Sequence, residues 1–335
     1  MSCLQAAERQ AGKMEKKTDI KEKQGRKSDI EIWRILFCLV VLGFHISAKT
    51  EWSYFHIGYL GVEFFFLLSG LGIYQSCLKR EETKDQPDAG SKPSYFLRYA
   101  KKKFLRLYPL YFLSLIAMLI VRMITLPMGF RQALLCLKNC LAEFLMLQCS
   151  PIGGEVLISA NWYVAVLFWG SLFYVAVYLL FGRKVLVLSG LAAAVSLYAY
   201  YFRLIGKIDV IFSYHAFLRA LAGLGLGIFL GGVSGFFCSR GGAKTSFRGM
   251  AGGLFFVVFP NLILMAIVFY TNLGHRSKLD FLVITLFFAS LLLLLCGPDI
   301  CPERLRPAVK KLSGLTYFIY LFQMPVIELL IFLLS

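Results

Sequence analysis

The sequence predicts an all-α protein, a polytopic transmembrane helix bundle of about nine to ten spans, and three observations predict it. The chain of 335 residues is 58% hydrophobic and 16% aromatic with a mean hydropathy of +0.69, more apolar surface than one soluble core can hide. The apolar residues recur in runs of roughly 20, the length a helix needs to cross ~30 Å of hydrocarbon. The 36 Lys and Arg outnumber the 19 Asp and Glu and gather between those runs, where the positive-inside rule places them. A soluble enzyme is excluded. The net charge of +17 reads as topology, so the expected partner is the lipid bilayer and not nucleic acid.

Taken in order, residues 1–28 are polar and rich in Lys and Glu and read as a disordered cytoplasmic tail. No signal-peptide pattern opens the chain, so the first span is expected to remain. Apolar windows then place spans at 30–48, 57–78, 108–128, 161–181, 184–202, 212–236, 250–271, 278–296 and 312–334. The basic loops 79–107, 237–249 and 297–311, with Arg183 and Lys184, fall on the side of the tail. That makes a multi-pass protein of the plasma membrane with its N-terminus cytoplasmic and its C-terminus external. Residues 80–94 carry charge, Pro and Gly and read as an exposed flexible loop; residues 130–148 suit an interfacial or re-entrant amphipathic helix. Nine cysteines stand without a CxxC pair, and no histidine has metal-ligand spacing, so neither a disulfide framework nor a metal site is expected.

Ionisable residues inside apolar spans are costly unless they face protein or a wet cavity, so each is a candidate. Arg34 and His45 are eleven residues apart, three helical turns plus about 20°, and share one face with a rise of about 16 Å between them. Glu31, one turn before Arg34, is its natural ion-pair partner. Glu63 lies just inside the second span, where it can pair with the His45 imidazole and fix its tautomer. Gly61, Gly70 and Gly72 in the same span permit close backbone approach. Lys103 and Arg106, within the basic run leading into the third span, either anchor to anionic lipid or form a clamp for the phosphates of a nucleotide-bearing donor. Trp162 opens an aromatic stretch that reads as an interfacial belt. Arg219 is flanked by small residues and is expected to face the bundle interior or to snorkel. The GLGLG run beside it follows no strand and reads as close helix packing.

These residues resemble acyltransferase family 3, integral-membrane acyltransferases of surface glycans and other acceptors. Three stretches carry the likeness: Glu31, Arg34 and His45 in the first span; Gly61, Val62, Glu63, Phe65, Phe66, Ser69 and Gly70 in the second; Lys103, Arg106 and Pro109 in the third. Weaker echoes lie around Arg219 and near Gln323 in the last span. The resemblance makes residues 29–335 one transmembrane acyltransferase-like domain. It departs from the family pattern where Lys103 replaces an arginine, where Gln323 stands in place of a frequent His, and where Leu167 occupies an acid's position after Trp162.

The resemblance implies an acyl-CoA-dependent O-acyltransferase that moves an acetyl or similar group from cytoplasmic acyl-CoA to a hydroxyl of a glycan or lipid-linked saccharide. Acyl-CoA is then a co-substrate and no cofactor is bound. His45 and Glu63 are the expected catalytic residues, and Arg34, Lys103 and Arg106 bind the donor. Glu31, Ser69, Trp162, Arg219 and Gln323 line the cavity. The alternatives are a transporter or flippase of a lipid-linked sugar using Arg34, His45, Glu63 and Arg219 as an ion pathway, and a non-catalytic relative.

Overall fold

A computed structural model of the chain describes residues 27–50, 52, 54–83, 91–126, 129–151, 153–211, 213–241, 264, 266, 278–297 and 299–334. Among the described residues the fold is all-α. The helices are α1 (Ser28–Ser47), α2 (Gly61–Thr83, entered through the 3-10 turn Gly58–Leu60), α3 (Lys92–Thr125), α4 (Phe130–Asn139), α5 (Leu141–Phe144), α6 (Trp162–Tyr200, continued by the π turn Tyr201–Ile205), α7 (Ser213–Gly241), α8 (Leu279–Cys296) and α9 (Arg306–Leu334). Among the described residues seven stretches are long and apolar enough to cross a membrane.

Two of the nine expected spans, 161–181 and 184–202, lie in one continuous run of 47 residues, Ser159–Ile205. The run doubles back at Gly182, whose φ of 83° and ψ of 176° suit glycine alone. Gly170 and Gly190 both meet α7 at one level, beside Leu224 and Gly225 respectively. A straight helix would hold them about 30 Å apart. The expected span 250–271 lies outside the described residues, apart from Leu264 and Ala266, as does the tail before Lys27.

The bundle has a near face, where α1 begins, and a far face, where it ends. The start of α1 is stapled to the loop before α9. The Lys27 ammonium donates to the carbonyls of Leu294 (3.1 Å), Leu295 (2.6 Å) and Gly297, Asp299 accepts from the Ser28 and Asp29 amides, and Asp29 accepts from the Ile300 and Cys301 amides at 2.8 and 2.9 Å. Each helix end left with orphan groups by its geometry is capped by the other segment. The described parts of the basic segments, including Lys79, Lys101, Arg183 and Arg306, share the near face.

The segment 80–94 departs from the flexible loop the sequence suggests. Helix α2 runs on to Thr83 and α3 begins at Lys92, well before the expected start at 108; residues 84–90 lie outside the described residues. The reason is local. Ser91 caps α3 by accepting from the Ser94 amide at 3.3 Å with Pro93 in the first turn, and the Arg80 guanidinium lies 4.2 Å over the Tyr95 ring. Pro109 therefore sits inside α3 and not near its start.

Small residues bring α7 against its neighbours. A Cβ on Gly227 would lie 2.1 Å from the Leu67 carbonyl oxygen and one on Gly70 2.1 Å from that of Leu224, so α2 and α7 touch backbone to backbone. Gly72 has nothing so close. The GLGLG run is thus a packing surface. On the far face, α4 and α5 form the amphipathic segment expected at 130–148: Leu134, Leu141 and Leu145 are exposed while Glu143, Phe144 and Met146 are buried. Cys38, Cys77, Cys136, Cys140, Cys149 and Cys301 are free thiols. Cys296 is disulfide-bonded, a pairing the scattered cysteine spacing does not signal.

Candidate functional site

A cavity of about 180 Å³ opens at the far face, with Ala48 and Lys49 exposed at its lip. His45 lines it together with Tyr59, Trp162, Asp209, Tyr320 and Met324. The His45 ring is held from its own helix: Nδ1 lies 2.9 Å from the Val41 carbonyl oxygen. A carbonyl only accepts, so Nδ1 carries the hydrogen and Nε2 of the neutral ring keeps its lone pair. Gln323 of α9 faces the ring, and its own amide nitrogen is buried without a hydrogen-bond partner. Arg34 shares that helix face. It donates to Glu31 at 2.6 Å and reaches Thr316 of α9 at 3.4 Å, two turns before Gln323.

Behind the cavity lies a buried charge cluster that reaches its lining at Asp209. Arg219, from the first turns of α7, donates through Nε to Glu63 at 2.6 Å, through Nη1 to Asp209 at 3.3 Å and through Nη2 to the Tyr59 carbonyl at 3.4 Å. Its guanidinium stands 5.0 Å from the centre of the Trp162 ring. Tyr198 donates to the second Glu63 oxygen at 2.7 Å. Glu63 and Arg219 are 0% exposed, and a charge so placed persists only when paired and hydrogen-bonded. The expected contact between Glu63 and His45 is not the one formed: both Glu63 oxygens are occupied by Arg219 and Tyr198. Trp162 is a cavity wall and not part of a lipid-facing belt.

A second cluster sits toward the near face. The Lys103 ammonium points inward, 2.5 Å from the Ser171 hydroxyl and 6.0 Å from the Tyr99 ring centre. Arg106 is exposed, one turn from Lys103, and lies with Arg34, Ser69 and Tyr317 in the surroundings of the buried Tyr163 ring. Residues from five helices, α1, α2, α3, α6 and α9, thus meet around Tyr163. None of Arg34, Lys103 and Arg106 lines the His45 cavity. Tyr163 and Tyr320, both buried with ring centres 5.4 Å apart, stand between the two clusters.

The cavity wall is buttressed from outside the spans. Glu143 accepts from the Leu157 amide at 2.5 Å and the Ile158 amide at 3.2 Å, which holds the strand of chain ahead of Ser159 and Ala160 against the cavity. Burial pushes the Glu143 carboxyl up to about 7, against the pull of those two amides and of Arg122. Arg122 donates to the Leu157 carbonyl at 2.9 Å. Among the described residues no group of His, Cys, Asp and Glu is arranged to hold a metal ion.

Sequence reasoning missed Asp209, Tyr198, Tyr320 and Glu143. Asp209 carried a usable signal, as the one acid in the short connection 206–211 between two spans. The tyrosines carried none, since an aromatic residue in a span reads equally as packing.

The described fold and site define an integral-membrane helix bundle with a histidine cavity on one side and a basic cluster on the other. The model of the acyltransferase family 3 acyltransferase domain matches residues 27–335. The chain belongs to that family. No curated protein and no solved structure matches it.

Proposed function

We propose that the protein is an acyl-CoA-dependent O-acyltransferase that takes its donor from the cytoplasmic, near face and acylates a hydroxyl of a glycan or lipid-linked saccharide reached from the far face. The observation that carries this reading is His45, with its Nδ1 hydrogen committed to Val41 and its ring on the wall of a cavity open to the far face. Nε2 is then the basic atom. It accepts the acceptor's hydroxyl proton as that oxygen bonds to the thioester carbonyl carbon; the C–S bond breaks and the CoA thiolate leaves, taking up the proton from the imidazolium. Products are the O-acyl ester and CoA.

Arg34, Lys103 and Arg106 supply the positive charge for the donor's phosphates, Arg106 as a planar fork and Lys103 as a point charge. The acyl arm must pass the Tyr163–Tyr320 ring pair to reach His45, so those rings part during transfer. Glu63 serves through Arg219, which shapes the cavity wall, and not by touching the imidazole.

The test is His45→Ala in membrane preparations given labelled acetyl-CoA. Transfer to cell-surface glycan falls by about 10²–10⁴-fold, the usual contribution of a positioned general base, while protease resistance of the membrane-extracted protein is kept. Undiminished transfer overturns the assignment.

A further inference from the structure

The helix extensions that replace the expected loop at 80–94 hold a group of side chains that the transfer chemistry leaves unused. We propose that Arg80, Tyr95 and Tyr99 form a subsite for the nucleotide of the donor, with its base laid on the two rings and its ribose phosphate on the guanidinium. The proposal rests on the reading of the near face as the donor side.

The anomaly that points there is Arg80. Its Nη1 is buried without a hydrogen-bond partner, and an enclosed guanidinium nitrogen left unpaired is costly. The guanidinium carbon lies 4.2 Å from the centre of the Tyr95 ring. A ring face attracts the cation as a whole and leaves its in-plane N–H groups without an acceptor. The next residue, Glu81, is an acid, but it is paired with Arg183 at 3.3 Å. Among the described residues no carboxylate is paired with Arg80, Lys103 or Arg106. An anion is what this end of the molecule lacks.

The rings beside Arg80 are placed to receive a base. Tyr95 and Tyr99 are one turn apart on α3 and half-buried, with planes 28° from parallel and centres 6.4 Å apart. The Tyr95 hydroxyl donates to the Ser76 carbonyl at 3.3 Å, which fixes that ring against α2. Lys103, a further turn along the same face, sets its ammonium 6.0 Å from the Tyr99 ring centre. From the near face inward the order is guanidinium, ring, ring, ammonium and then Arg106, with about 16 Å of helix between Tyr95 and Arg106. Coenzyme A presents its groups in a matching order: the ribose phosphate at the outer end, the base beside it, and the diphosphate that leads into the acyl arm. Lys103 and Arg106 then take the diphosphate. A membrane-belt role does not account for the two rings, because belt tyrosines border the hydrocarbon, and the exposed Lys101 and Lys102 separate these from the apolar stretch of α3.

The test is equilibrium binding of labelled coenzyme A and of dephospho-coenzyme A, which lacks only the ribose phosphate, to the full-length protein in phosphatidylcholine nanodiscs. The wild type is expected to bind coenzyme A about tenfold more tightly, and in Arg80→Gln that preference disappears. Tyr95→Leu, and Tyr99→Leu, which leaves the contact between Arg80 and Tyr95 intact, are each expected to weaken both ligands about tenfold, the effect of losing one stacked ring. A wild type that binds the two forms alike, an Arg80→Gln variant that keeps the preference, or unweakened binding in both ring variants overturns the proposal. Admixed phosphatidylglycerol is expected to leave the preference in place; a preference that vanishes in that bilayer assigns Arg80 to a lipid headgroup and also overturns it. The expected binding pattern together with undiminished acyl transfer by His45→Ala would keep the nucleotide subsite and remove the catalytic reading.

Discussion

The two clusters that flank Tyr163 and Tyr320 handle charge in opposite ways. Toward the near face, Arg106 is exposed and the Lys103 ammonium donates to the Ser171 hydroxyl and lies over the Tyr99 ring, and among the described residues neither is paired with a carboxylate. Toward the far face, Glu63 and Arg219 are fully buried and paired with each other, and Arg219 also bonds Asp209 at the cavity edge. A polyanionic donor suits the first environment and a neutral hydroxyl the second. On the proposed reading, the aromatic pair between them would keep the base from meeting the thioester until both substrates are in place.

The sharpest way to break this contrast is to unbalance the far side. Arg219→Met strands the fully buried Glu63 carboxylate without its guanidinium, a loss of about 3–5 kcal/mol for a broken buried pair. Detergent-solubilised protein is expected to melt well below the wild type, and acyl transfer is lost with it. The double replacement Arg219→Met with Glu63→Gln recovers part of the stability, because the stranded carboxylate is gone. Equal melting of single and double variants would mean that the cluster is not what holds α2 to α7.

A second variant acts on the wall and not on the charge. Glu143 has its carboxyl raised to about 7 by burial, so between about pH 4.5 and 7 the folded protein binds more protons at this site than the unfolded chain does. Stability from this group is therefore full below the unfolded value and is lost as pH rises through about 7, up to about 3 kcal/mol for the shift. The wild type is expected to melt a few degrees higher at pH 5 than the same protein at pH 8 after subtraction of the difference seen in Glu143→Gln. A pH dependence identical in the two proteins would remove Glu143 from the far wall's support.

How much of this was readable beforehand differs between the two sides. The spans were legible because a run of ~20 apolar residues has few other uses, and even the corner at Gly182 lies where Arg183 and Lys184 interrupt the hydropathy. The start of α3 was not, because a basic helix beyond the apolar slab leaves no hydropathy signal; its cap, Ser91 followed by Lys92 and Pro93, was written in the chain all the same. Arg34 and His45 were legible as a pair because helical spacing alone places them on one face, toward Thr316 and Gln323. The partner of Glu63 was not. Arg219 is 156 residues away, and nothing local tells whether a carboxylate at that depth turns toward an imidazole or toward a guanidinium from the other side of the bundle.

The aromatic divider can be tested by thinning it. Tyr320→Ala removes one of the two rings and the hydroxyl bond to Ala160, opening the cavity toward the donor cluster. Acetyl-CoA hydrolysis without acceptor is expected to rise several-fold as water reaches the thioester beside His45, while transfer to acceptor falls. If hydrolysis stays at the wild-type level, the rings do not separate the two sides.

The smallest effect belongs to the near side, and its size is part of the argument. Arg106 is exposed, so its attraction for a phosphate is screened by water and salt, and one such contact is worth about 1–2 kcal/mol. Arg106→Ala is expected to raise the KM for acetyl-CoA about tenfold with kcat nearly unchanged, because a phosphate far from the reacting carbonyl is bound equally in ground and transition states. Arg106→Lys keeps the charge but loses the fork and falls between the two. The loss should shrink as ionic strength rises, since salt weakens the wild-type contact and leaves the alanine variant unaffected. A fall in kcat at unchanged KM would instead place Arg106 in the far-side chemistry, and the division of labour between the two clusters would no longer hold.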